Sequence, residues 1–143
     1  MKLALKQAKK AYKRDEVPVG AVIVKDGKVI SKAYNLREKT NLATGHAEIL
    51  AIQKANKKLK SWRLDSCTLY VTIEPCPMCA GAIIQSRIKE VVYGATDSKS
   101  GSHSSIINLF DLPYNHNVKV EKGIMEKECS EIVSSFFKQL RNR

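Results

Sequence analysis

Segments of strand-like composition alternate with segments of helical periodicity along this chain, and that alternation restricts the possible folds more than any other feature. Apolar residues recur every three or four positions in residues 2–14, which predicts a first helix. The elements predicted after it are strands 19–24 and 28–34, helix 45–58, strand 67–73, helix 77–86, strand 89–94, a short helix 105–110, strand 117–121 and helix 126–141. The polar segments 35–44 and 95–104 are expected to be loops.

The pair Asp26-Gly27 between the first two strands predicts a tight hairpin, because both central residues of such a turn take positive φ angles. A hairpin joins antiparallel strands, so the sheet is expected to be mixed. Strands that alternate with helices form a sheet with helices on both faces. We therefore predict an α/β fold, a three-layer α/β/α sandwich around a five-stranded mixed sheet. The length of 143 residues favours one domain over residues 1–143.

Positive charge dominates the chain, with 25 lysines and arginines against 14 aspartates and glutamates and a net charge of +11. The basic residues cluster at three places: Lys2, Lys6, Lys9, Lys10, Lys13 and Arg14; Lys54, Lys57, Lys58, Lys60 and Arg63; and Lys138, Arg141 and Arg143. This clustering favours nucleic acid as a partner, although a membrane surface or an acidic protein would also fit. No apolar run is long enough to cross a membrane, and the N-terminal segment returns to lysine too early for a signal peptide. We therefore expect a cytoplasmic protein.

Three residues carry side chains that commonly bind zinc, namely His46, Cys76 and Cys79. One imidazole and two thiolates form a ligand set that zinc prefers. Three protein ligands leave the fourth tetrahedral position to a water molecule, which is typical of a catalytic zinc ion. Cys76 and Cys79 are three residues apart at a predicted helix start, so they lie about 60° apart around the helix axis and share one face.

Glu48 follows His46 by two residues, a separation of about 200° on a regular helix. Both side chains can serve one site only if the N-terminal end of their helix points at the metal. Thr44 is an acceptable N-cap for such a helix. Two thiolates neutralise much of the zinc charge, so a neighbouring carboxylate is useful to take a proton from the water and deliver it to a leaving amine. Pro75 fixes the approach of the chain to Cys76.

Each of these residues taken singly has a more common structural explanation. A Cys-x-x-Cys pair can be half of a structural zinc site, a single histidine is often a core residue, and a glutamate in the first turn of a helix is favoured by the helix dipole. The combination His46-Ala-Glu48 followed by Pro75-Cys76-x-x-Cys79 is far more specific. It matches the signature of the zinc-dependent base deaminases.

The similarity extends beyond these residues. Segments 16–24, 61–64, 69–79, 92–97 and 136–141 resemble the bacterial tRNA-specific adenosine deaminases, a family of the cytidine deaminase-like superfamily. The resemblance implies a homodimer with one zinc ion per subunit. It also implies that the substrate is a tRNA anticodon stem-loop of an arginine tRNA, in which the wobble adenosine is converted to inosine by a zinc-activated water.

The resemblance also implies roles for individual residues. His46, Cys76 and Cys79 would hold zinc, and Glu48 would be the catalytic residue that moves protons. The remaining expected roles are contacts with the nucleoside or the RNA, by Asn35, Asp97, Lys99, Phe137, Lys138 and Arg141.

Two other functions remain open at this point. A deaminase of a free base or nucleotide, of guanine or cytosine type, shares the motif and does not need the clustered lysines. A non-catalytic, zinc-stabilised RNA-binding subunit is a further alternative, against which the presence of Glu48 argues. Gly45 and Thr96 depart from the family pattern, so the family's contacts at these two positions are not carried over to this chain.

The remaining residues with reactive or aromatic side chains are interpreted as structural. Cys67 and Cys129 are expected to be buried, in the third strand and the last helix. Trp62 is expected to anchor its segment to the core, and His103 and His116 to lie in loops or at the surface.

Overall fold

A computed structural model describes all residues, 1–143, and its helices and strands follow the predicted alternation. The elements are α1 (Lys2–Lys13), β1 (Gly20–Lys25), β2 (Lys28–Tyr34), α2 (Arg37–Thr40), α3 (Ala47–Leu59), β3 (Cys67–Ile73), α4 (Pro77–Gln85), β4 (Glu90–Ala95), a 3₁₀ turn (Leu109–Asp111), β5 (Lys119–Lys122) and α5 (Glu126–Arg141). None of the helices combines the length and the hydropathy needed to cross a membrane.

The five strands form one mixed sheet in the order β2-β1-β3-β4-β5. Strand β1 pairs antiparallel with β2 and β3, whereas β4 runs parallel to both β3 and β5. Asp26 and Gly27 join β1 to β2 with φ angles of 51° and 74°, as the predicted hairpin turn requires. Because β3 and β4 run parallel, their carboxyl ends and the loops that follow them lie at the same edge of the sheet.

Helices cover both faces of the sheet, which confirms the predicted three-layer sandwich. Helices α3 and α4 pack together on one face, and α1 and α5 pack together on the other. The main core lies beneath α3 and α4 and is built from β-branched and small residues such as Ile23, Val71 and Ala51. On the α5 side, Cys129 packs so closely over Gly94 that a Cβ atom at Gly94 would overlap it.

One short helix was not predicted. Residues 37–40 form α2 inside the segment expected to be a loop. The reason lies outside the segment, because the buried carboxylate of Glu16 accepts hydrogen bonds from the backbone N–H groups of Glu38 (3.0 Å) and Lys39 (2.8 Å). These donors have no partner within a helix, so satisfying them stabilises its first turn.

The prediction of a short helix over residues 105–110 is wrong. Only a 3₁₀ turn at Leu109–Asp111 forms there. Ser105 uses both its backbone N–H and its hydroxyl to hydrogen-bond the carboxylate of Glu74, and the N–H of Ile106 bonds the carbonyl of Gly101. The segment therefore turns around a carboxylate instead of continuing as a helix.

Trp62 does not anchor its segment to the core. Its side chain is 58% exposed and lies between the guanidinium groups of Arg63 and Arg87, at 5.2 and 5.8 Å from the ring centre. The neighbouring Leu64 fills the core position instead and is fully buried. By contrast, Cys67 and Cys129 are fully buried as predicted.

Candidate active site

The three predicted metal ligands come together at the N-terminal ends of two helices. His46 and Cys76 are the N-cap residues of α3 and α4, and both have extended backbone conformations. Cys79 lies in the first turn of α4 and is fully buried. Thr44 is therefore not the N-cap of α3. Because His46 stands just outside the regular helix, its side chain can turn toward the same site as Glu48.

The geometry of the three ligand atoms suits a tetrahedral metal ion. The Nδ1 atom of His46 lies 3.6 Å from Sγ of Cys76 and 3.5 Å from Sγ of Cys79. Zinc bonds of about 2.3 Å to sulfur and about 2.0 Å to nitrogen, at a tetrahedral angle, place these two kinds of atom about 3.5 Å apart. The three ligand atoms are also all within 4.8 Å of one another. The cluster can therefore bind a zinc-sized ion with little rearrangement.

The two thiols have opposite acid–base properties, which also favours a cation. Hydrogen bonds from the Cys79 thiol and from His46 lower the pKa of Cys76 to about 4, although burial acts in the opposite direction. Hydrogen bonding to Cys76 and burial raise the pKa of Cys79, and hydrogen bonding to Cys76 raises the pKa of His46. The Cys76 thiolate is thus next to the protons carried by Cys79 and His46. A divalent cation that binds all three side chains can displace these protons.

Glu48 is the buried carboxyl group of the site. It lies in the first turn of α3, only 3% exposed, and lines the same cavity as His46 and Cys76. Burial raises the pKa of Glu48 to about 7. A carboxyl group with a pKa near neutral pH can both accept and donate a proton, which is the property required of a general acid–base.

The cavity beside these residues, here called the pocket, has a volume of about 160 Å³ and also contains Asn35 and Asp97. The side chain of Asn35 is fixed at both ends, since Nδ2 donates to the carbonyl of Val17 and Oδ1 accepts from the N–H of Arg37, each at 3.1 Å. An amide has a second hydrogen and a second lone pair, so Asn35 can still bind a ligand in the pocket.

Comparison with known proteins agrees with this geometry. The sequence profile of the MafB19-like deaminase family matches residues 1–141. The chain is 49% identical over 144 residues to a tRNA-specific adenosine deaminase of Bacillus subtilis, covering 100% of this chain and 89% of the relative. A solved structure from a study of A-to-I editing by tRNA:A34 deaminases at the wobble position of transfer RNA superposes with a TM-score of 0.90. That structure is 46% identical, with 92% of this chain and 96% of the other covered.

The chain belongs to the family of the tRNA-specific adenosine deaminases. It is accordingly a hydrolytic deaminase with a cytidine deaminase-like fold. The wider fold family includes enzymes with other substrates. A guanine deaminase of Bacillus subtilis is 34% identical and superposes with a TM-score of 0.65 over 99% of this chain and 91% of that one.

In this deaminase a groove leads from the pocket to the last helix. The groove shares Arg37 and Asp97 with the pocket and continues past Lys99 and Phe137 to Arg141. Three predicted RNA-contacting residues, Lys99, Phe137 and Arg141, therefore lie along one surface. Lys138 is exposed on α5 but does not line the groove, so its predicted contact has no support from the shape of this surface.

Sequence reasoning missed two buried glutamates that shape this deaminase pocket. Glu16 holds α2, which carries Arg37 into the pocket wall, and Glu74 holds the loop that carries Asp97. Burial opposes ionisation of Glu74, but the hydrogen bond from the Ser105 hydroxyl and those from three backbone N–H groups outweigh it and keep the pKa of Glu74 low. One signal was present in the sequence, because Glu74 directly continues an apolar strand, and a carboxylate there needs donors.

The two other histidines of the deaminase are ordered by hydrogen bonds, although both lie in connecting segments as predicted. The Nδ1 atom of His103 is 2.8 Å from the hydroxyl of Tyr93, and Nε2 of His116 is 2.7 Å from the carbonyl oxygen of Ile88. Neither lines the pocket or the groove, and both are partly buried.

Proposed function

We propose that this chain hydrolyses adenosine to inosine at the wobble position of a tRNA anticodon. One observation carries the proposal: His46, Glu48, Cys76 and Asn35 line a single pocket in a chain that is 49% identical to a tRNA-specific adenosine deaminase. We propose that residues 1–143 act as one deaminase domain and that the enzyme works in the cytoplasm, where its RNA substrate is found.

We propose zinc as the cofactor, one ion per subunit, held by His46, Cys76 and Cys79. The donor set supports this choice, because an imidazole with two thiolates selects zinc over magnesium or calcium. The ligand spacing described above supports it as well. A bound zinc ion supplies a Lewis acid that makes a water molecule acidic enough to react near neutral pH.

The proton transfers are assigned to Glu48. Its carboxyl group can take a proton from the attacking water, hold it, and pass protons to the purine ring and to the amine that leaves as ammonia. Its burial at 3% exposure excludes bulk water from this exchange. Its position in the first turn of α3, two residues after His46, would keep the carboxyl group next to a base bound in the pocket.

The adenosine must leave the stacked anticodon loop to enter the pocket, as in other enzymes that modify a base. Asn35 is the residue proposed to bind the flipped nucleoside, because its amide is already oriented by Val17 and Arg37. A side chain held in advance loses little entropy when it binds a ligand.

Binding of the anticodon stem-loop is assigned to the groove and the helices beside it. Tyr12 of α1 packs edge-to-face on Phe136 of α5 and donates a hydrogen bond to Gln139, so these two helices lie side by side. We propose that this contact joins the first and third basic clusters into one positive surface that includes Lys99 and Arg141, both of which line the groove. Such a surface suits the phosphate backbone of RNA.

We also propose a homodimer, as the family resemblance implies. The segment between β4 and β5 exposes several large apolar side chains that a second subunit would cover. Ile106 is 63% exposed, Tyr114 50% and Ile107 47%. Large apolar side chains clustered at a surface commonly mark a protein–protein contact.

The proposed function is tested with the purified chain and an arginine-tRNA anticodon stem-loop, with free adenosine, cytidine and guanine in parallel. We expect inosine from the stem-loop and little product from the free compounds. Glu48→Gln should keep its zinc and its RNA affinity but lose about 10²- to 10⁴-fold in kcat, the usual contribution of a general acid–base. Inosine is measured by mass spectrometry of the digested RNA, and zinc by elemental analysis.

The control variant is Glu121→Gln, which removes an exposed carboxylate on β5 and should leave kcat unchanged. Product from guanine or cytidine alone would instead favour a free-base deaminase. A zinc-loaded chain that binds the stem-loop but makes no product would favour a non-catalytic RNA-binding subunit. A Glu48→Gln variant within tenfold of the wild-type rate would contradict the role given to Glu48.

A further inference from the structure

The carboxylate of Glu74 is enclosed by a loop that borders both the pocket and the groove. The residue immediately follows β3, is 1% exposed, and its own backbone N–H bonds the carbonyl of Ala95 at the end of β4. Its side chain therefore starts from the sheet edge at which the catalytic groups gather. From there it points into the loop formed by residues 97–105, called here the 97–105 loop.

Five hydrogen bonds converge on this single carboxylate. Oε1 accepts from the N–H of Asp97 at 2.9 Å and from the hydroxyl of Ser105 at 2.6 Å. Oε2 accepts from the N–H groups of His103 and Ser104 at 2.9 Å and of Ser105 at 3.2 Å. Both oxygens are thus saturated, and the first and last residues of the loop are tied to one point.

The tightness of this enclosure is visible at Gly101. A Cβ atom at that position would overlap the carboxylate of Glu74, so the loop closes over the carboxylate with no room for a side chain. The loop is also fixed to the sequence next to the metal ligands, because the N–H of Ser102 bonds the carbonyl of Pro75 at 2.9 Å. Any movement of the loop would therefore move residues at the entrance of the pocket.

The same loop presents the side chains that face a ligand outside the pocket. Asp97 and Ser100 line both the pocket and the groove, and Lys99 lines the groove. The nucleotides on either side of a flipped adenosine would have to pass this loop. Their fit therefore depends on where the loop is held.

We propose that Glu74 is a positioning residue that holds the 97–105 loop and thereby determines how the nucleotides flanking the reacting adenosine are bound. The part of this inference that concerns RNA rests on the proposed function. Glu74 does not touch the reacting atoms in this scheme and acts through Asp97, Lys99 and Ser100. The requirement is for a carboxylate, because in either orientation an amide would turn its NH₂ group toward at least one backbone N–H group, which can only donate.

The first test needs no substrate. Hydrogen exchange followed by NMR should show that Glu74→Gln lowers the protection of the backbone N–H groups of Asp97, His103, Ser104 and Ser105 at least tenfold. The α2 amides, which Glu16 holds, should be unchanged in the same sample. Unchanged protection of the loop amides in Glu74→Gln would overturn the proposal.

The second test measures function with the zinc content of each sample confirmed to equal that of the wild type. Glu74→Gln should reduce kcat/KM for the stem-loop about 10²-fold, as expected when a bound substrate is misplaced by about 1 Å. Stem-loops with altered nucleotides beside the adenosine should be discriminated less well than by the wild type. A variant that loses loop protection but keeps wild-type kcat/KM and discrimination would also overturn the proposal.

A second variant guards against a Glu74→Gln chain that fails to fold. Gly101→Ala leaves the carboxylate in place but forces the loop away from it, so it should reproduce the loss of protection and of discrimination. Combining it with Glu74→Asp, which shortens the side chain by one methylene group, should restore part of both. If Gly101→Ala lost as much protection and discrimination alone as in combination with Glu74→Asp, this would contradict the close contact between residue 101 and the carboxylate. A wild-type chain inactive on RNA would instead overturn the proposed function, while the exchange result would still decide whether Glu74 holds the loop.

Discussion

One wall of the pocket is made from two helix N-termini, whereas the rims beside it, the short helix α2 and the 97–105 loop, are held in place by buried carboxylates. The helix wall carries His46 and Cys76 at its surface, and Cys79 is buried in the first turn of α4. Each is fixed by the local geometry of α3 or α4. The rims are held by Glu16 and Glu74, which lie far along the chain from most of the backbone groups that they bind. The reactive groups are thus positioned locally, and the surfaces that meet the substrate are positioned at a distance.

This difference predicts two kinds of failure. Loss of a helix-wall ligand should remove the metal and the chemistry together. Loss of a rim carboxylate should leave metal and catalytic groups in place while the substrate is bound less accurately. Variants of each kind can therefore confirm or contradict the division between the two regions.

The largest effect is expected from Cys76→Ala. The variant removes one of the three proposed zinc ligands, so zinc content should fall well below one ion per chain and turnover should drop below detection. Elemental analysis and the stem-loop assay measure both quantities. The matched control is Cys67→Ala, another buried cysteine outside the site, which should keep its zinc and most of its activity. Full zinc occupancy in Cys76→Ala would show that the ion is held elsewhere.

A smaller effect is expected from Glu16→Gln. Only one of the two polar ends of the amide can accept a hydrogen bond, so either Glu38 or Lys39 loses the partner of its N–H group. Helix α2 should therefore loosen and Arg37 should shift. Losing one hydrogen bond to a charged group costs about 1.5–3 kcal/mol of unfolding free energy. Chemical denaturation measures that loss, and we expect kcat/KM to fall roughly tenfold to 10²-fold with zinc retained. Loss of zinc in this variant would contradict the separation of wall from rim.

The smallest effect is expected at Trp62, which belongs to neither region. The residue lies beyond the C-terminal end of α3, whereas the pocket is at the N-terminal end of that helix. Because its side chain is mostly exposed, Trp62→Ala should change the unfolding free energy by less than about 0.5 kcal/mol. As the only tryptophan, it should also be quenched readily by iodide, and its emission should not respond to zinc removal. Strong protection from the quencher would contradict the exposed position.

The contrast between wall and rims also explains what the sequence could predict. The alternation of strands and helices and the Asp26-Gly27 hairpin follow from patterns within a few residues of one another. The ligand cluster joins residues 30 positions apart, and it could be predicted because its two halves together match a known signature. The helix expected over residues 105–110 did not form because Ser105 binds Glu74, some 30 residues earlier, through its N–H and its hydroxyl group. No local pattern reports such a partner.

Smaller errors have the same origin. Thr44 has the right chemistry for an N-cap, but the helix begins later because the side chain of His46 faces the two cysteines. Helix α2 arises within a polar segment because Glu16 satisfies its first N–H groups. Trp62 is expected to be an anchor, but the neighbouring Leu64 occupies the core position.

The hairpin at Asp26 and Gly27 has a practical consequence for engineering. Strand β1 begins beside Thr72, close to the pocket, and ends opposite Cys67 at the other end of β3. The turn that follows is therefore about 20 Å away, the length of a six-residue strand. Exposed turns of this kind tolerate inserted sequence well. A second protein module inserted between Asp26 and Gly27 would thus extend away from the pocket and leave the entrance of the pocket accessible.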